Sequence, residues 1–134
     1  MSQLYTKTKE KLLSGQINWL ADTIKVALVD SASYIPNIET DEFLSAIPTG
    51  AIVATSDALI GKSTTNGAAD ADDVTIVNVN GNQFEYLAIY KEAGDPTTSP
   101  LIALIDSATN LPFSPSGGSV AIQWDAGTNK IFSL

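Results

Sequence analysis

From residue 24 onward the apolar positions recur at a spacing of two, in short Val- and Ile-rich runs bounded by clusters of Gly, Pro, Asn, Asp and Ser. Alternate residues of an extended chain share a face, so this spacing predicts strands. Residues 24–30 (IKVALVD) place Ile24, Val26 and Leu28 on one face, and Ala27 and Val29 make the other face apolar too. A strand apolar on both faces belongs inside a sheet. Residues 51–55 and 58–62 predict brief edge strands, and Asn66-Gly67 predicts a turn. Asn80-Gly81-Asn82 separates 74–79 (VTIVNV) from 83–90 (QFEYLAIY). Asn-Gly tolerates the positive φ of hairpin turns, so these two runs predict an antiparallel hairpin. Residues 101–105 (LIALI), 120–124 (VAIQW) and 130–134 (KIFSL) add three strands, with Pro-, Gly-, Ser- and Thr-rich linkers at 94–100 and 107–118.

Two segments break the spacing. Residues 6–13 (TKTKEKLL) use mostly helix formers and meet Gly15 where a helix can end, which predicts one short helix packed through Leu12 and Leu13. Two turns of helix do not hold alone in water, so this one must dock on something. Residues 40–47 (TDEFLSAI) predict a second short helix, with Thr40 as cap, Asp41 and Glu42 in the first turn, and Phe43, Leu44 and Ile47 pointing inward. Short strands at even intervals with little helix between them predict a mainly β single domain, an antiparallel β-sandwich of jelly-roll-like type. The organisation expected is an amino-terminal helical arm over 1–15 and a β-sandwich domain over 16–134.

Composition changes the picture mainly through what is missing. The 134 residues contain no His, Cys or Arg. That removes thiol nucleophiles, disulfides, the usual zinc sites and a Ser-His-Asp triad. The net charge of −8 without the planar fork of arginine argues against nucleic acid as a partner. No apolar run approaches the roughly 20 residues that span a bilayer, and the three Lys near the amino end have no signal-peptide core behind them, so the reading expects a soluble protein with no membrane partner.

The remaining candidates for chemistry are weighed against plain structural roles. Asp70, Asp72 and Asp73 form the densest carboxylate cluster, and calcium favours several oxygens on one loop. Their spacing matches no complete calcium loop, so a solvated acidic turn is the expectation. Fifteen acids make some pair at glycosidase spacing inevitable, yet nothing singles one out. Gly61-Lys62-Ser63 resembles the end of a phosphate loop, but Ser56 stands where its first glycine is required. Trp124 reads as core packing, and Trp19 is divided between core and interface. The chain is therefore expected to be no enzyme and to need no cofactor or metal.

Charge divides the chain unevenly. Lys7, Lys9 and Lys11 lie in the first eleven residues beside one acid, Glu10, whereas residues 12–134 hold four Lys against fourteen acids, a balance of −10. With Leu4 and Tyr5 as apolar neighbours, the amino end forms a cationic handle on an acidic body. Runs 24–29 and 101–105 are apolar on both faces, more than one inner layer of a small sandwich consumes. The surplus predicts self-association, unless other chain segments cover the outer face.

The segments 5–10 (YTKTKE), 13–19 (LSGQINW), 24–30 (IKVALVD), 41–45 (DEFLS), 47–50 (IPTG), 69–74 (ADADDV), 123–125 (QWD) and 129–132 (NKIF) resemble, in order and over nearly the whole chain, small structural proteins of tailed bacteriophages. The resemblance implies a virion protein on the outer surface of the capsid. It would bind the major capsid protein as a decoration, or cement, protein, often as a homotrimer, and no catalytic, cofactor or metal residues carry over. Leu4, Tyr5, Lys7, Lys9 and Lys11 are then the expected capsid contact. The alternatives are a tail-tip, collar or fibre-associated protein, or a host-surface carbohydrate-binding module exposing aromatic residues such as Trp19, Tyr34 or Phe113.

Overall fold

A strand that is apolar on both faces needs a neighbour on each edge and a cover on each side, and Ile24–Val29 receives all four. In the computed structural model, which describes residues 2–106, 111–128 and 130–134, the elements in chain order are β1 (Ser2–Leu4), α1 (Thr6–Leu13), β2 (Ile24–Val29), β3 (Ile52–Thr55), β4 (Ala68–Ala69), β5 (Val74–Ile76), β6 (Tyr86–Lys91), β7 (Leu101–Ile105), β8 (Val120–Ile122) and β9 (Phe132–Ser133). Strands take up 31% of the described residues and helix 13%, which makes the fold mainly β. Five strands form one antiparallel sheet in the order β1-β7-β6-β2-β3, and β4 with β9 and β5 with β8 form two short antiparallel ribbons. Residues 107–110 of the expected linker, and Asn129, lie outside the described residues.

The large sheet is covered on both sides. On one face Ile24, Val26, Leu28, Leu87, Ile89, Ala103 and Ile105 pack against the two ribbons through Ala69, Ile76, Val120, Ile122 and Phe132. On the other face Ala27, Val29, Ala88, Tyr90, Leu101 and Leu104 pack against Tyr5 at the head of α1 and against Tyr34, Leu44, Ile47 and Ala51. Two bulges tune this division. Leu28 pairs with Ala54 and Val29 with Ile52, leaving Val53 extra, and Ile89 pairs with Ala103 and Tyr90 with Leu101, leaving Ile102 extra. Each extra residue sends a second consecutive side chain, Val53 beside Ala54 and Ile102 beside Ala103, toward the ribbon side. The apolar surplus of β2 and β7 is thus used within the chain.

Four expectations are corrected. The hairpin around Asn80-Gly81 does not form: β5 pairs with β8, while β6 pairs with β2 and β7. β6 is apolar on both faces and takes the two long apolar strands as neighbours, whereas three-residue β5, with Thr75 exposed, serves only as an outer ribbon. The helix over 40–47 shrinks to a 3-10 turn at Leu44–Ala46. Its backbone groups are claimed from outside, because Leu44 N–H donates to Ser99 O, Ser45 N–H to Pro96 O, and Leu101 N–H to Glu42 O. Residues 58–62 form no strand; Leu59 N–H donates to Ile24 O and Ile60 O accepts from Asp72 N–H, single bonds rather than a ladder.

The fourth correction concerns how α1 packs. The helix spans the predicted residues and ends as expected: Gly15 adopts φ 75, its N–H donates to Leu12 O, and Gln16 N–H donates to Lys11 O. These are the two bonds of a glycine-terminated helix end. The docking face, however, is formed by Thr8 and Lys11, with Leu12 half-buried, and Leu13 is 91% exposed. The helix meets the sheet through its first turns, which carry Tyr5 and Thr8 over β7; in its last turn Leu12 still packs against the ribbon-side core, as expected, and only Leu13 projects past the contact.

Candidate functional site

The charge-asymmetric amino end is built into the body rather than hung from it. β1 pairs with β7, Leu4 opposite Ala103, and makes the edge of the large sheet. Tyr5 N–H then donates to Ile102 O and Thr6 N–H to Ile38 O. The Thr8 hydroxyl donates to Leu101 O, which satisfies a polar group buried without solvent. Residues 2–13 are therefore fastened at four successive points to chain that lies far along the sequence.

A polar chain that runs from the buried Tyr5 hydroxyl out to the surface completes the fastening. The Tyr5 and Tyr34 hydroxyls lie 3.0 Å apart, the Tyr34 hydroxyl donates to Asp41 Oδ2 at 2.7 Å, and Asn37 N–H donates to the same oxygen at 2.9 Å. Burial pushes the Tyr5 hydroxyl up to about 12. Burial, then the bonds to Tyr5 and Asp41, push the Tyr34 hydroxyl well above the ordinary tyrosine value. On the same face of the sheet Tyr90 is pushed up to about 12 by burial and by the nearby Glu92 charge. All three hydroxyls stay protonated at any physiological pH. They act as fixed hydrogen-bond partners, not as proton carriers.

The five residues expected to contact a capsid fare differently. Tyr5 is wholly buried and Leu4 packs against the ribbon-side core. Lys11 is engaged: Nζ lies 2.5 Å from Glu42 Oε1 and 5.1 Å from the centre of the Phe43 ring. Lys7 pairs with Glu10 at 3.3 Å near the surface. Lys9 is exposed and has no acidic partner among the described residues. What the surface offers is thus Lys9, Lys7 beside Glu10, and Leu13 one turn beyond Lys9 on the same side of the helix.

Sequence reasoning missed Tyr34, Asp41 and Glu42 as the groups that receive this segment. The usable signal was charge: the acidic pair Asp41-Glu42 lies beside an apolar run, and Lys11 needs a counter-charge if its helix docks.

The other candidates resolve into structural roles. Trp19 is buried, donates its indole N–H to Asp70 O, and meets Phe132 edge-on at 5.4 Å. Tyr34 is buried in the chain described above, and half-buried Phe113 stacks on Phe84 at 5.6 Å. Trp124 is half-buried, with its indole N–H on Asp72 O and its backbone N–H on Asp73 Oδ1. Asp70 pairs its backbone with Ser63. Among the described residues no three acids converge in a way that could hold a metal ion. Lys62 of the phosphate-loop-like triplet donates to Asp22 O. No helix among the described residues is long and apolar enough to cross a membrane. Compared with protein-family models and with curated protein sequences, the chain matches none.

Proposed function

We propose that the protein is a catalytically inert structural component of a tailed-phage virion, a decoration protein that binds the major capsid protein on the outer surface of the head and stabilises the shell. The resemblance of its segments to phage structural proteins supplies the setting. The observation that carries the reading is the outer face of α1, where Lys9, with no acidic partner among the described residues, and 91%-exposed Leu13 sit one turn apart on a body of opposite charge. A cation beside an exposed apolar side chain gives a partner both a steering charge and an anchor. Because its own segments cover both faces of the large sheet, the trimer we propose assembles on the shell and not in free solution.

The test uses purified particles. Copies in the hundreds per particle place the protein on the shell, whereas a count near that of a single ring moves it to the tail. For the contact, Lys9→Glu and Leu13→Ser alter exposed side chains and leave stability within about 0.5 kcal/mol of the parent. Lys9→Glu is expected to weaken rebinding to undecorated shells in a salt-dependent way, and Leu13→Ser in a salt-independent way. Full saturation by the double variant would move the docking surface off α1.

A further inference from the structure

Two Asn-Gly pairs occur in the chain, and the fold treats them oppositely. At Asn66-Gly67, the pair lies in a 3-10 turn (Thr65–Gly67), Gly67 N–H donates to Thr64 O at 3.1 Å, and Gly67 O accepts from Leu134 N–H at 3.0 Å. Asn66 itself is held at φ 58. At Asn80-Gly81 the predicted hairpin is absent. The pair lies exposed in a bend between the ribbon layer and the large sheet, and Gly81 N–H has no hydrogen-bond partner among the described residues. Only Val53 Cγ1 approaches the position a side chain on Gly81 would take, at 3.5 Å.

We propose that Asn80 is a self-modification site, at which the chain converts its own carboxamide to aspartate or isoaspartate through a cyclic imide. The Gly81 backbone nitrogen forms a bond to Asn80 Cγ as the Cγ–Nδ2 bond breaks, and its proton leaves with the side-chain nitrogen as ammonia. Water then adds to either imide carbonyl and reopens the ring. Three features of the site favour the first step. Glycine puts no Cβ beside the attacking nitrogen. That nitrogen need not surrender a hydrogen bond. The carboxamide is held by one long bond: Asn80 Nδ2 is 3.5 Å from Asn78 O, beyond a firm bond, while its Oδ1 lies against Gly117.

The product matters for its surroundings. Val79 N–H donates to Gly118 O, Gly117 N–H donates to Val79 O, and Asn82 Nδ2 donates to Asp30 Oδ2. The site therefore lies between two fixed points, and isoaspartate lengthens the backbone between them while adding a negative charge.

The full-length protein is aged in warm, mildly alkaline buffer, with peptide mapping by mass spectrometry and enzymatic isoaspartate detection, natively and in denaturant. In the native protein Asn80 is expected to convert roughly tenfold faster than Asn66, the factor a retained hydrogen bond at Gly67 represents. In denaturant the two rates are expected to converge, and Asn80→Gln is expected to remove the native signal. Native conversion at Asn66 as fast as at Asn80, or native protection of both, would overturn the proposal.

Discussion

The two faces of the large sheet are sealed by different means. On the ribbon side the cover is almost wholly apolar, with Phe84, Val79 and Ile131 each about 1% exposed and Trp19 contributing its indole N–H to a backbone carbonyl. On the amino-terminal side the cover is partly polar, comprising the Tyr5–Tyr34–Asp41 chain, the Thr8 hydroxyl on Leu101 O and the Lys11–Glu42 pair. The first kind of cover is non-directional and is set by volume; the second works only when each donor meets its acceptor. The comparison teaches that one side of this molecule tolerates a change of shape poorly and the other tolerates a change of protonation poorly.

Truncating the apolar side should have the largest effect. Phe84→Ala removes a ring that stacks on Phe113 and leaves a cavity, and is expected to lower unfolding stability by about 3–5 kcal/mol in denaturant titration. A loss under about 1 kcal/mol would mean that the ribbons collapse onto the gap and that the contrast between the faces is false.

Alkaline titration should act on the other face. The Tyr5 and Tyr90 hydroxyls titrate near 12 in the folded chain and near 10 when unfolded. The unfolded chain therefore loses these protons first. Stability from them is full below pH 10 and falls as the pH rises toward 12, on the order of 2 kcal/mol for each group. Tyrosinate absorbance reports the amino-terminal face and Trp19 emission the ribbon face. The expected order is loss of amide protection at α1 before any change in Trp19 emission, and simultaneous change would merge the two faces into one unit.

Smaller still is the effect of single hydroxyl removal. Tyr5→Phe leaves Tyr34 bonded to Asp41 and is expected to cost about 1 kcal/mol, while Tyr34→Phe strips partners from both neighbours and costs about 1–3 kcal/mol. A double-mutant cycle that returns no coupling would break the chain into independent contacts.

How much of this could be read from the residues depended on distance along the chain. β2 and β7 were legible because apolar residues on both faces leave a strand only an interior position. α1 was legible residue for residue because its composition and Gly15 are local signals. The hairpin failed because Asn-Gly specifies a turn conformation but not a partner: β6 is drawn to strands beginning at Ile24 and Leu101 by a burial demand that no local motif expresses. The helix over 40–47 failed likewise, its backbone being bonded to 96–101. At the candidate site the lysines were legible as charges, but the engagement of Lys11 depended on Glu42, 31 residues away.

The strand order carries a consequence for synthesis. β1 lies against β7, and the Thr8 hydroxyl meets a carbonyl 93 positions later, so β1 and Thr8 lack these partners until β7 has left the ribosome, although Tyr5, Thr6 and Lys11 meet Tyr34, Ile38 and Glu42 about thirty residues on. β2 and β3 find each other early, but β6 arrives some sixty residues after β2 and β7 later still. The pairing of distant segments slows folding and prolongs the exposure of apolar strands. Nucleation is then expected around β6 and β7, with the amino-terminal segment closing last over a sheet that is already assembled. For β1 and α1, the order of translation and the expected order of docking onto the sheet therefore run in opposite directions.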